Sequence, residues 1–163
     1  VERIYLGQAA SPAAAKAAVM AAFNAGASLV SYVGHGSSGL WATEGLLRSP
    51  DVAALAPQPR QPLVLTMTCS NGYFLSPYSN SLSERLALTA GKGAIAVFSP
   101  SGLSLNDAAH VYHRALAREL EAGGHERLGD LVLAAQAAYA QTGAFPELLT
   151  IYHLFGDPGL KVR

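Results

Sequence analysis

The sequence predicts an α/β fold, a mostly parallel sheet with helices on both faces, and three observations lead there. Short apolar runs rich in β-branched residues, at 27–33, 63–67 and 94–98, are bounded by Gly or Pro and read as buried strands. Helical stretches with recognisable start and stop signals separate them, and such alternation is the pattern of a parallel sheet. Half of the 163 residues are hydrophobic and only 13% are charged, which suits a sheet covered on both sides. At this length one domain is expected.

The elements follow in order. Ile4-Tyr5-Leu6 signals a short strand within residues 1–7. Ser11-Pro12 then supplies an N-cap and a proline at the first helical position, and an Ala-rich helix runs to Asn24 and stops at Gly26. The first strand, 27–33, ends in Gly34-His35-Gly36-Ser37. Residues 36–62 form the crossover, with a short helix started by Ser49-Pro50-Asp51 and stopped by Pro57. The second strand, 63–67, ends in Thr68-Cys69-Ser70-Asn71-Gly72. A loop rich in Tyr, Ser, Pro and Asn leads to the capping-box pattern Ser81-Leu82-Ser83-Glu84, opening a helix that stops at Gly91. The third strand lies within 93–99. An amphipathic helix follows from Asn106-Asp107 to Gly123-Gly124, then another from about Glu126 to Gln141. Residues 150–155 read as a last strand, followed by the turn Gly156-Asp157-Pro158.

Composition narrows the function classes. The formal net charge is zero and no Lys/Arg cluster appears, so nothing suggests a nucleic-acid footprint or a membrane-surface patch. No apolar run reaches the roughly 20 residues that a membrane-spanning helix needs. A single cysteine excludes an internal disulfide and is compatible with the cytosol or with a secreted enzyme keeping one reactive thiol. Residues 1–163 read as a single subdomain; beginning with Val and without a signal peptide, it reads as cut from a longer precursor.

The chemistry gathers at two strand ends. One strand delivers an imidazole, His35, into a glycine turn, and another delivers the only thiol, Cys69. In an open parallel sheet substrates sit outside the carboxyl ends of the strands. Neighbouring strands lie about 4.8 Å apart, close enough for the two groups to meet. A free thiol has a pKa near 8.5, so an adjacent imidazole that takes its proton makes it a nucleophile. Backbone N–H groups of Gly36 and Cys69 are natural oxyanion donors, each worth on the order of 3 kcal/mol in a transition state. The plainer alternative makes Cys69 a small core residue and His35 a hydrogen-bonded turn residue.

Three motifs in order extend this reading: Gly34-His35-Gly36-Ser37 with Trp41, then Cys69-x-Asn71-Gly72-x-Phe74-Leu75, and finally Phe155-Gly156-Asp157-Pro158-x-Leu160-x-Val162-Arg163. From about Ser11 to the last residue the chain resembles the gingipain-like cysteine peptidases. The resemblance implies a caspase-like three-layer sandwich, of which this chain is the C-terminal catalytic half. It implies an endopeptidase with His35 as general base, Cys69 as nucleophile, an acyl-enzyme thioester, and an oxyanion hole from the amides of Gly36 and Cys69. It further implies a secreted or cell-surface enzyme made as a precursor. Its partners would be a protein or peptide substrate and the N-terminal half of its own precursor, where an acidic partner for His35 would lie. No cofactor is required, and a structural calcium is the one bound group the resemblance raises. Trp41, Ser37 and Leu105 are the substrate-binding candidates. Leu105 stands near where basic-specific members place a Trp over the P1 side chain, so Arg or Lys specificity does not carry over. The alternative keeps the fold and makes the chain a transpeptidase of a secretion or surface protein, or an inactive binding domain.

Other signals are weaker. Gly34-x-Gly36-x-x-Gly39 formally fits a dinucleotide fingerprint, but no long helix or acidic residue follows at the required distance. His110 and His113 are three apart on a helix without a third ligand, which favours a solvated face. His125 reads as a helix-cap or exposed residue, and His153 as a satisfied sheet residue. Asp157 reads as the residue of an Asx turn. Trp41 either walls a subsite or packs under the His35 turn. Tyr73 and Phe74 read as core residues near the cleft, and Glu44 as a solvent-facing one.

Overall fold

The computed structural model describes residues 1–162; Arg163, the last residue of the C-terminal motif, lies outside the described residues. Helix α1 (Pro12–Asn24) starts where Ser11 Oγ accepts the Ala14 N–H, the N-cap its sequence encodes. Strand β1 (Leu29–Val33) leads into three very short strands, β2 (Gly36–Ser37), β3 (Leu40–Trp41) and β4 (Leu47–Arg48). Helix α2 (Asp51–Ala54), strand β5 (Leu63–Met67), helix α3 (Leu82–Leu88) and strand β6 (Ala96–Pro100) follow. Then come α4 (Asn106–Ala122), α5 (Leu128–Ala140), α6 (Leu148–Ile151) and β7 (Tyr152–Phe155).

The main sheet has the order β1-β5-β6-β7, with β1, β5 and β6 parallel and β7 antiparallel to β6. Side chains alternate across it as the pleat requires. Val64 and Val97 enter one core with Phe23 of α1, Val52 of α2 and Leu86 of α3. Leu65, Met67 and Phe98 enter the other with Tyr112 and Leu116 of α4 and Tyr139 of α5. The result is three layers, helix–sheet–helix, the architecture expected from the alternation.

Four details depart from the sequence reading. Residues 4–6 form no strand; Leu6–Gln8 make a 3₁₀ turn, and Ile4 and Leu6 pack against the α1 side of the core. The third strand begins at Ala96, because Gly93 (φ +80°) runs against Leu86 of α3, whose carbonyl also accepts the Ala94 N–H. The last strand begins at Tyr152, its expected first residues forming α6 instead. The crossover holds the β2-β3-β4 sheet, whose two-residue strands are too short to show a period in the sequence.

Candidate active site

Strands β1 and β5 are parallel neighbours, paired in register from Leu29↔Leu63 to Val33↔Met67. His35 and Cys69 each lie two residues beyond that last pair. Register alone therefore sets the imidazole-bearing and thiol-bearing turns side by side at the carboxyl rim of the sheet. The turns are joined by contact as well. The Gly34 N–H donates to the Met67 carbonyl at 3.2 Å. Gly36 lies so close to the second turn that a Cβ there would stand 2.5 Å from Thr68 Oγ1, so the approach needs glycine.

The His35 turn is held from below. Tyr32 donates its hydroxyl to the His35 carbonyl at 2.6 Å, and Ala42 N–H donates to the same oxygen at 2.8 Å. Burial pushes the Tyr32 phenol above its ordinary pKa, with the Glu44 charge adding to the rise and a backbone hydrogen bond at Ala42 opposing it. The phenol thus stays a donor. Because the Ala42 N–H donates to the His35 carbonyl across the hairpin, Gly36↔Trp41 is a non-hydrogen-bonded pair. The Gly36 N–H accordingly faces the open edge of β2. His35 is exposed and lines a shallow depression with Gly36, Ser37, Leu40 and Thr43.

The Cys69 thiol is half-buried and free. It donates to the Ser104 carbonyl at 3.4 Å and accepts the Ser104 N–H at 3.5 Å, so its hydrogen-bond partner is the β6–α4 loop rather than the imidazole. Ser104 Oγ pairs with the Tyr152 hydroxyl at 2.9 Å. Ser70, the residue after the thiol, has φ +51°, a left-handed conformation unusual for a residue other than glycine, and its N–H donates to the Gly102 carbonyl. The Cys69 N–H has no acceptor among the described residues.

The fold that carries these two turns has known counterparts. A family model of peptidase family C25 matches residues 1–163. The chain belongs to peptidase family C25. The crystal structure of the Arg-specific cysteine proteinase gingipain R (RgpB) superposes with a TM-score of 0.81 at 25% identity, over 91% of this chain and 36% of that one. The complex of Porphyromonas gingivalis RgpB pro- and mature domains gives 0.81 at 24% identity, over 91% and 37%. A third structure, described only as a protease, gives 0.72 at 18% identity, over 87% and 37%. The chain thus spans little more than a third of the gingipain chains it matches. No curated protein matches it.

Other residues of this C25 chain take varied places. Trp41, a substrate-binding candidate, is only 1% exposed; its ring stacks on Tyr32 at 4.7 Å and its Nε1–H donates to Asn71. It packs under the His35 turn, and burial removes it from the set of residues that can touch substrate. Ser37 is exposed beside His35. Leu105 is 53% exposed and adjoins Ser104, the contact of the sulfur. Tyr73 and Phe74 are not core residues but exposed ones, Phe74 resting edge-on against His153 and Phe155. His153 pairs with Ser101 Oγ, and burial lowers its pKa. His113 pairs with Ser31 Oγ, its pKa lowered by burial and then by His110. His125 pairs with Glu119. Asp157 accepts the Gly159 N–H, as an Asx turn requires, and Glu44 accepts from Thr43. Among the described residues no group of three or more His, Cys, Asp or Glu side chains is placed to hold a metal ion.

Sequence reading missed Tyr32, Asn71, Ser104 and Tyr152. Asn71 stands inside a motif but has no role of its own in that reading; the other three carry no local signal at all.

Proposed function

We propose that this chain supplies the nucleophile and general base of a cysteine endopeptidase. The observation that carries the reading is the register Val33↔Met67, with His35 and Cys69 each two residues beyond the ends of these neighbouring strands. In the reaction His35 takes the thiol proton and the thiolate attacks the scissile carbonyl. The oxyanion forms against the N–H groups of Gly36 and Cys69. Collapse breaks the C–N bond, His35 returns the proton to the leaving amine, and a thioester to Cys69 remains. Water, deprotonated by His35, then hydrolyses the thioester and regenerates the thiol.

Ser37, exposed beside His35, and Leu105, exposed next to Ser104, are the residues we assign to substrate contact. The reading names a protein or peptide substrate and carries over no P1 preference. We also infer that the enzyme is secreted or surface-borne and matures from a precursor, a reading supported by the complex of RgpB pro- and mature domains, and that the N-terminal half of that precursor completes the site.

The test is Cys69→Ala in the full polypeptide that contains this chain. Cleavage of an unbiased peptide library should vanish; undiminished turnover would remove Cys69 as nucleophile. Products formed with an added amine acceptor separate hydrolysis from transfer: free carboxylates support a peptidase, and amide conjugates would make the chain a transpeptidase.

A further inference from the structure

Asn71 lies two residues past the thiol, and its side chain is 0% exposed. A buried carboxamide must satisfy both a donor and an acceptor group. Here both face the other turn. Nδ2 donates to the Ser37 carbonyl at 2.7 Å and reaches the Leu40 carbonyl at 3.4 Å, while Oδ1 accepts the Trp41 Nε1–H at 2.9 Å. Ser37 and Leu40 are the pair flanking the β2–β3 turn, and Trp41 is the partner of Gly36. One side chain of the Cys69 turn therefore grips both strands of the hairpin that begins at His35. No other side chain from 68–72 hydrogen-bonds that hairpin among the described residues; Thr68 touches it only by packing, with its own hydroxyl unpartnered. The Asn71 end is itself fixed, its carbonyl accepting the Ser83 N–H of α3.

We propose that Asn71 is a positioning residue of the peptidase site, setting where the His35 turn stands relative to Cys69. The proposal rests on the Cys–His reading above. The thiol's own contacts are with Ser104, so nothing bonds it to the imidazole directly, and the separation of the two is left to the backbone turns. The Asn71 carboxamide is the polar side-chain link between those turns. A misplacement of about 1 Å can cost on the order of 100-fold in rate, so one clamp of this kind has kinetic weight.

The discriminating variant is Asn71→Asp in the full polypeptide. The carboxylate still accepts from Trp41 but has no N–H for Ser37, and it sets an anion against two carbonyls. Iodoacetamide labelling of the Cys69 peptide, followed by mass spectrometry from about pH 5 to 9, reads the thiolate without needing a substrate. In N71D labelling of Cys69 at the acid end of that range should slow about tenfold relative to wild type, and kcat should fall about 30-fold with KM within about twofold. A folded N71D with the wild-type labelling profile and kcat overturns the proposal, as does a lowered melting temperature with no change in profile. Should N71D fail to fold, Trp41→Phe removes only the donor to Oδ1 and keeps an apolar ring on Tyr32. It should slow labelling by about threefold at low pH, and an unchanged rate overturns the clamp. A wild-type profile like that of an ordinary thiol, by contrast, would sink the Cys–His reading itself.

Discussion

Tyr152 shows how much a single residue can do at this rim. Its hydroxyl pairs with Ser104 Oγ, and Ser104 in turn brackets the sulfur with its N–H and carbonyl. Burial pushes the phenol up to about 12; the Ser104 hydrogen bond opposes the rise and the Cys69 charge adds to it. A raised folded pKa contributes stability below the unfolded value of 10.0 and loses it as pH climbs toward 12. Tyr152→Phe leaves the buried Ser104 hydroxyl without its partner, so it should cost about 1–2 kcal/mol in urea unfolding near neutral pH. The same variant should lose less stability than wild type between pH 10 and 12. Equal alkaline slopes in the two proteins would show that the phenol is not the group responsible. Ser104 carries no motif, and its neighbours Leu103 and Leu105 are 84% and 53% exposed. No rule of composition marks it as the residue that holds a thiol.

At the scale of elements, helix starts were legible and strand company was not. Ser11-Pro12 and Ser81-x-x-Glu84 predicted the N-termini of α1 and α3 because capping is a matter of three adjacent residues, and both caps are present. The clasp between β5, β6 and α3 had no such local sign. Thr66 Oγ1 donates to Ser99 Oγ at 2.7 Å, and Ser83 Oγ donates to the same atom at 2.8 Å, all fully buried. Ser99→Ala strands the Ser83 hydroxyl and leaves Thr66 only its long 3.4 Å bond to the Phe98 carbonyl. That should cost about 2–3 kcal/mol. Ser81→Ala, which loses the N-cap side chain of α3, should cost about 1 kcal/mol. Chemical denaturation of both variants gives the order; a cost for Ser99→Ala no larger than for the cap would mean that the clasp relaxes or takes in water.

Across the whole molecule, two half-buried imidazoles tie stability to acid. His113 of α4 meets Ser31 of β1 at 2.8 Å, and His153 of β7 meets Ser101 at 2.9 Å, on opposite margins of the sheet. Burial lowers both pKa values from 6.5, helped at His113 by His110. A depressed folded pKa means stability that is present above the unfolded value and lost as pH falls. The urea midpoint should therefore drop from about pH 7 to about pH 5, and His113→Gln with His153→Gln should flatten that drop. A double variant as acid-sensitive as wild type would move the cause to the carboxylates. What the sequence by itself determined is whatever neighbouring residues decide: the buried strands, the caps, and the delivery of His35 and Cys69 into glycine turns at strand ends. Only the tertiary structure decided that β1 lies beside β5 in register, that Trp41 goes under the hairpin, and that Asn71 and Ser104 face the two turns. Caps and periodicity are settled within one or two turns of chain. Register and cross-strand contacts depend on residues some thirty to fifty positions apart, whose meeting is chosen by the packing of both cores at once.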